Sequence, residues 1–159
     1  MKVELGSYPS YTKTGSKSTR KVSIKIDKWD SWNADHTLAL IIHPVLVQLK
    51  KDTHGYPSEK GMTMKKWNVI LDKMIFAFNE LKKDDWMDQF YSGKSDVLEY
   101  CIDKNHKKVA KDDPTCIGST MKKGPTDTTK FDKKGCTAQY KKIVEGTMLF
   151  GKYYQNLWD

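Results

Sequence analysis

"KVSIKIDKWDSWNADHTLALIIHPVLVQLKK", residues 21–51, changes its period partway along. Over 21–26 apolar and polar residues alternate, which predicts a half-buried strand with Val22, Ile24 and Ile26 on one face. Over about 33–51, Leu38, Ile41 or Ile42, Val45 and Leu49 fall at helical spacing, and Leu40, Leu46 and Val47 widen the apolar surface. A strand that runs straight into such a helix decides for an α+β fold. A helix apolar nearly all round is expected at the centre of a core. Pro44 is expected to kink it by removing the bond to the Leu40 carbonyl.

The junction is "WDSWNADH", residues 29–36. Asp30, Asp35 and His36 are residue types that ligate metals or move protons. The wider sequence supplies them no partners, so a strand-to-helix junction is the expected reading, with Asn33 as cap and one Trp in the core. Whether Trp32 and His36 face that core or a pocket rimmed by a basic arm stays open.

Upstream, "KVEL" at 2–5 alternates as well, and "GSYPSYTKTGSKSTR" between the strands is a loop composition, so the two form a hairpin with a long basic tip. Downstream, a second helix is predicted over 64–82 from the stripe Trp67, Leu71, Met74, Phe78 and Leu81. "DDWMDQFYSG" at 84–93 reads as a short helix, capped by Asp84 or Asp85 and stopped at Gly93. Residues 94–130 are irregular, with a strand at "VLEYCID". The last helix, 132–157, carries Tyr140, Ile143, Thr147, Phe150, Tyr154 and Leu157 on one stripe, with Gly146 or Gly151 placed to allow close approach of another helix. The expected architecture is a predominantly helical α+β domain, with an N-terminal β-hairpin packed on about three longer helices and one short one. One domain is expected over 1–159: a basic arm at 1–28, a helical core at 29–93, an irregular basic region at 94–130 and a C-terminal helix from 131.

The net charge of +8 suggests an anionic partner. It is concentrated in 1–28, net +5, and 101–142, net +6. Only Arg20 among the 28 basic residues is arginine, which argues against a protein that reads guanine edges in specific DNA. Cys101, Cys116 and Cys136 form no C-x-x-C pair, and their odd number reads as a reducing cytosol. No apolar run approaches the roughly 18 residues of a membrane span.

No catalytic motif is present: no G-x-S-x-G, no P-loop, no G-x-G-x-x-G and no H-E-x-x-H. His36 and His43 share a helix face, but at a spacing of seven with Leu40 between them, which is not a zinc pattern. No catalytic residue, metal or cofactor is therefore expected. The anion-binding signals are better. "MKKGPTD" at 121–127 sets Lys122 and Lys123 beside a Gly-Pro turn, with Thr126, Thr128 and Thr129 close by; taken alone, a charged turn before a helix, capped by Thr128 or Thr129, is the better reading. The arm places Tyr8 and Tyr11 near Arg20, and "THGYPS" adds His54 and Tyr56 on a loop. Rings beside cations suit an unpaired base and its phosphate.

"KVSIKIDKWDSWNADHTLALIIHPVLVQLKKDTHGYPS", "WNVILDKMIFAF", "DDWMDQFYSG", "MKKGPTDTTKFD" and "LFGKYYQNLWD" resemble, in that order, a widespread family of small proteins of large tailed bacteriophages, the myoviruses. His43 before Pro44 and the lysine-rich 101–113 stretch depart from the family pattern. The resemblance points to the anti-CBASS sponges. It implies a homo-oligomer, with a tetramer favoured, that sequesters a host cyclic dinucleotide such as a cyclic GMP-AMP in the host cytoplasm, without chemistry. On that reading Tyr8, Tyr11, Trp32 and His36 lie against bases, Arg20, Lys122 and Lys123 face phosphates, and His54 and Thr128 donate hydrogen bonds. The alternatives are a phage protein that binds a host or virion protein, and a nonspecific nucleic-acid binder.

Overall fold

The computed structural model describes residues 1–6 and 20–158. The chain forms two compact units, Met1–Asp84 with Tyr140–Asp159, and Asp85–Gln139.

In the first unit, β1 (Lys2–Leu5) and β2 (Val22–Lys25) pair antiparallel, Val3 opposite Ile24 and Leu5 opposite Val22. A short helix α1 (Lys28–Trp32) follows, then α2 (Ala34–Asp52) and α3 (Met64–Leu81). The C-terminal helix α4 (Lys133–Tyr153) contributes its later turns and a closing 3-10 turn at Tyr154–Asn156. The α+β class, the hairpin and the long helices are those expected from the sequence.

The core lies among α2, α3 and α4. Ala39 and Leu46 of α2 meet Trp67, Leu71, Met74 and Phe78 of α3 and Tyr153 of α4. Rings lock the α3–α4 contact edge to face: Trp67 against Tyr153 at 5.3 Å and Phe78 against Phe150 at 4.9 Å. Gly146 makes that contact possible, because a Cβ there would stand 2.5 Å from Ala77 Cβ and collide with the Lys73 carbonyl. Gly151 has no such neighbour. Thr63 caps α3, its hydroxyl accepting from Lys66 N at 3.3 Å.

Several expectations need correction. α2 includes Pro44 and is not central: only Ala39 and Leu46 are buried, while Leu38, Leu40, Val45 and Val47 stay exposed on the two flanks. The hairpin exists, but Leu5, Val22, Ile24 and Ile26 are exposed rather than half-buried. In α4 the buried residues are Ile143, Gly146 and Tyr153, and the expected Tyr140 and Tyr154 face solvent. The close α3–α4 approach at Gly146 sets that helix's rotation.

The second unit is mostly strand and turn. Residues 84–93 form turns and a 3-10 turn at Asp88–Phe90 instead of the expected short helix. β3 (Tyr91–Ser92) pairs with β7 (Lys130–Phe131). β4 (Val97–Ile102) is central in a three-stranded sheet between β5 (Lys108–Val109) and β6 (Gly118–Lys123). Cys101 pairs in register with Ser119, which brings Cys116 back to Cys101 with 5.7 Å between Cα atoms, and the two form a disulfide. Cys136 is free. Among the described residues no helix is long and apolar enough to cross a membrane.

Candidate functional site

The junction 27–36 in the first unit is built from local hydrogen bonds. Asp27 opens α1 with a capping box: its Oδ1 accepts from Trp29 N at 3.0 Å, and Asp30 Oδ2 accepts from Asp27 N at 2.7 Å. The N-terminal ammonium lies 2.8 Å from Asp30 Oδ2, tying the start of β1 to α1. That ammonium, with the Asp27 amide, holds the Asp30 carboxyl below the usual range. Asn33, the expected cap, gives α2 no side-chain hydrogen bond.

Neither Trp of the junction is in the core, against expectation. Trp29 is 65% and Trp32 84% exposed. Their rings sit 6.2 Å apart, tilted at 57°, with Lys28 Nζ 5.0 Å from the Trp29 ring centre. A five-residue helix has one turn and a half, so its aromatics at i and i+3 share a face, and among the described residues both stay exposed. Two open aromatic faces beside a cation can accept a planar, anionic ligand.

His36 belongs to α2 just beyond this pair. Its Nδ1 is out of solvent contact and makes no hydrogen bond, although Asp84 Oδ1 is 3.2 Å away at ion-pair distance. Arg20 sits at the hairpin neck, where its Nε donates to the Gly6 carbonyl at 2.8 Å. His54 is exposed on the loop between α2 and α3. Tyr8 and Tyr11 lie outside the described residues. Lys28 and the role of Trp29 were not singled out from the sequence; the i, i+3 spacing of the tryptophans was the available signal.

The other sequence candidates fall in the second unit, and there the chain fills its own anion site. Asp96 Oδ2 accepts from Thr126 N at 3.0 Å and Thr126 Oγ1 at 2.7 Å. Asp127 Oδ1 accepts from Thr129 N at 3.0 Å and Lys123 Nζ at 3.1 Å. The Asp96 amide and Lys123 hold the Asp127 carboxyl below the usual range. Thr128 Oγ1 accepts from Lys94 N at 2.8 Å. The amides and hydroxyls of Thr126 and Thr129 thus bond two carboxylates, and the Thr128 hydroxyl bonds the Lys94 backbone. Lys123 pairs with Asp127 and Thr128 with the Lys94 backbone, and Lys122 is an exposed strand lysine. The first unit holds Arg20, Trp32, His36 and His54; the second holds Lys122, Lys123 and Thr128.

His43 of α2 sits 3.4 Å through Nδ1 from Lys82 Nζ. Burial, then the Lys82 charge, holds its pKa below the ordinary 6.5. The unfolded chain therefore takes up this proton first as pH falls. The stability contributed by neutral His43 is complete above the ordinary value and is lost as pH falls through the folded one. The thermal midpoint should drop between about pH 7 and 5, and His43→Gln should flatten that slope. An unchanged slope in the variant would remove His43 as its source.

Among the described residues no group of three or more His, Cys, Asp or Glu side chains is placed to hold a metal ion. Compared with protein-family models, curated proteins and solved structures, the chain matches none significantly.

Proposed function

We propose that this is a phage immune-evasion protein that binds and sequesters a cyclic dinucleotide signal of the host, without catalysis. The observation that carries the reading is the exposed Trp29–Trp32 pair beside Lys28. An indole held open to solvent by a capped helix is ready to stack on a base, and a lysine beside it meets the phosphate. Lys21 and Lys25 of the hairpin add positive charge to the same unit.

The same reading includes a homo-oligomer, with a tetramer favoured. The apolar flanks of α2 and the apolar hairpin face support it. Leu38 and Val45 on one flank, and Leu40 and Val47 on the other, each lie seven apart. Two distinct faces of one subunit, each meeting its own copy, are what a tetramer of dihedral symmetry requires. Residence in the host cytoplasm belongs to the reading too, and there the Cys101–Cys116 pair would meet a reducing thiol pool.

Calorimetry with a panel of cyclic dinucleotides tests the proposal, with the ligand recovered afterwards. Binding with intact ligand is the expected result. Trp32→Ala should weaken that binding by about tenfold or more. Absence of binding to any nucleotide would end the reading, and altered ligand would make the protein an enzyme. The exposed apolar faces also favour a second reading, a phage protein that binds a host or virion protein. One stoichiometric protein in a pulldown from infected cells, with no nucleotide affinity, would select it.

A further inference from the structure

The loop between α2 and α3 meets the C-terminal turn in a groove that the sequence did not announce. Its floor is a closed polar triad. Tyr153 OH donates to Glu59 Oε2 at 2.7 Å, and Lys152 Nζ lies 3.1 Å from Glu59 Oε1 and 2.9 Å from Tyr153 OH. The buried Tyr153 ring is fixed from below by Trp67. Tyr153 and Lys152 together keep Glu59 ionised well below its usual range, so the floor carries one charge of each sign.

Above this floor lies a cavity of about 300 Å³ lined by Pro57, Ser58, Glu59, Lys152, Tyr153 and Asn156. A narrower slot of about 50 Å³ continues from it, lined by Gly55, Tyr56, Pro57, Asn156 and Trp158. Pro57 and Asn156 belong to both. Tyr56 is 51% and Trp158 70% exposed. No aromatic contact among the described residues joins these two rings. They line one slot without stacking on each other.

We infer that this groove is a nucleobase subsite, in which Tyr56 and Trp158 hold a planar heterocycle and the Asn156 amide reads its edge. Three features select that ligand class. The two adjoining hollows, about 300 Å³ and 50 Å³, are too small for a whole dinucleotide, and the slot beside the rings is too small for a base alone, so a base edged by Tyr56 and Trp158 extends past Asn156 into the larger cavity. The floor is neutral in sum, and Lys152 is engaged by Glu59 and Tyr153, so a phosphate gains little there. An amide offers a donor and an acceptor side by side, which matches the edge of a base, and the Ser58 hydroxyl adds either role. Phosphates of the ligand remain outside, toward solvent.

The subsite rests on the nucleotide reading proposed above and adds to it a second base-holding place, distinct from Trp29 and Trp32. The test is titration of cyclic GMP-AMP, cyclic di-GMP, cyclic di-AMP, AMP and GMP into the full chain and into Tyr56→Ala, Trp158→Ala, Asn156→Ala and Trp32→Ala. Tyr56→Ala and Trp158→Ala should each weaken the bound ligand about tenfold or more, and Tyr56→Phe should restore it. Asn156→Ala should shift the preference between guanine and adenine. Thermal midpoints read alongside establish that the exposed-ring variants are folded. If the wild type binds and both ring variants bind within twofold of it, the subsite is overturned while the nucleotide reading stands. If the wild type binds none of the five, both fall together.

Discussion

Gly146→Val should unfold the helical unit of this protein at temperatures where the wild type is stable. Gly146 sits inside α4 and costs that helix about 1 kcal/mol relative to alanine. The cost is offset by contact: α3 passes so near that a Cβ would collide with the Lys73 carbonyl and stand 2.5 Å from Ala77 Cβ. A carbonyl inside a helix cannot swing aside as a flexible side chain can. The helices would have to separate, and the Trp67–Tyr153 and Phe78–Phe150 contacts on the same interface would open with them. Three added carbons in a packed interface make a loss of about 3 kcal/mol or more. For a chain of this length that corresponds to roughly 10 °C in the thermal midpoint. Gly151 is the control, because a Cβ there has nothing within 4 Å. Gly151→Ala should raise the midpoint slightly through helix propensity alone. Circular dichroism melts of the two variants settle the matter, and a Gly146→Val midpoint within about 2 °C of wild type would refute the packing account.

The parts of the fold that could be read ahead were those where local pattern and burial agree. α3 has one apolar stripe, and its members Trp67, Leu71, Met74 and Phe78 are buried in the folded chain. α2 shows where that logic stops. Its apolar residues surround the axis, but one neighbour covers only one stripe, so Leu38 and Val45 stay outside. Tryptophan misled for a similar reason. Residue type gives a tendency to burial, whereas position on a one-and-a-half-turn helix decided that Trp29 and Trp32 are open. The Asp27–Asp30 capping box was in principle legible as acids three apart, but α1 is too short to have a period. At the turn 124–129 the amides and hydroxyls of Thr126 and Thr129 bond Asp96 and Asp127, and Asp96 comes from far along the chain, which no local reading shows. The Cys101–Cys116 pairing and the Tyr56–Trp158 slot likewise join segments whose adjacency only the fold creates.

Placing two aspartates on one flank of α2, Leu38→Asp with Val45→Asp, should dissociate the proposed oligomer. The two side chains are 53% and 59% exposed, so neither carries the core, and the charges meet water in an isolated subunit. Ala39 and Leu46, which do carry it, lie on the neighbouring buried stripe and remain. The subunit should therefore stay folded. In a symmetric contact each substitution appears on both sides, so four carboxylates would be brought together and stripped of water. Burying unpaired like charges is opposed by several kcal/mol. The expected result is a dissociation constant raised about a hundredfold or more, which is roughly 2.7 kcal/mol or above. Sedimentation or light scattering over a concentration series reads it directly. Leu40→Asp with Val47→Asp on the other flank should act separately and leave a dimer where the first pair leaves another, because a tetramer of dihedral symmetry comes apart one interface at a time. A wild type that sediments as a monomer at all concentrations would remove the oligomer. A variant pair that leaves the assembly intact would show that the apolar flank of α2 is not what holds it.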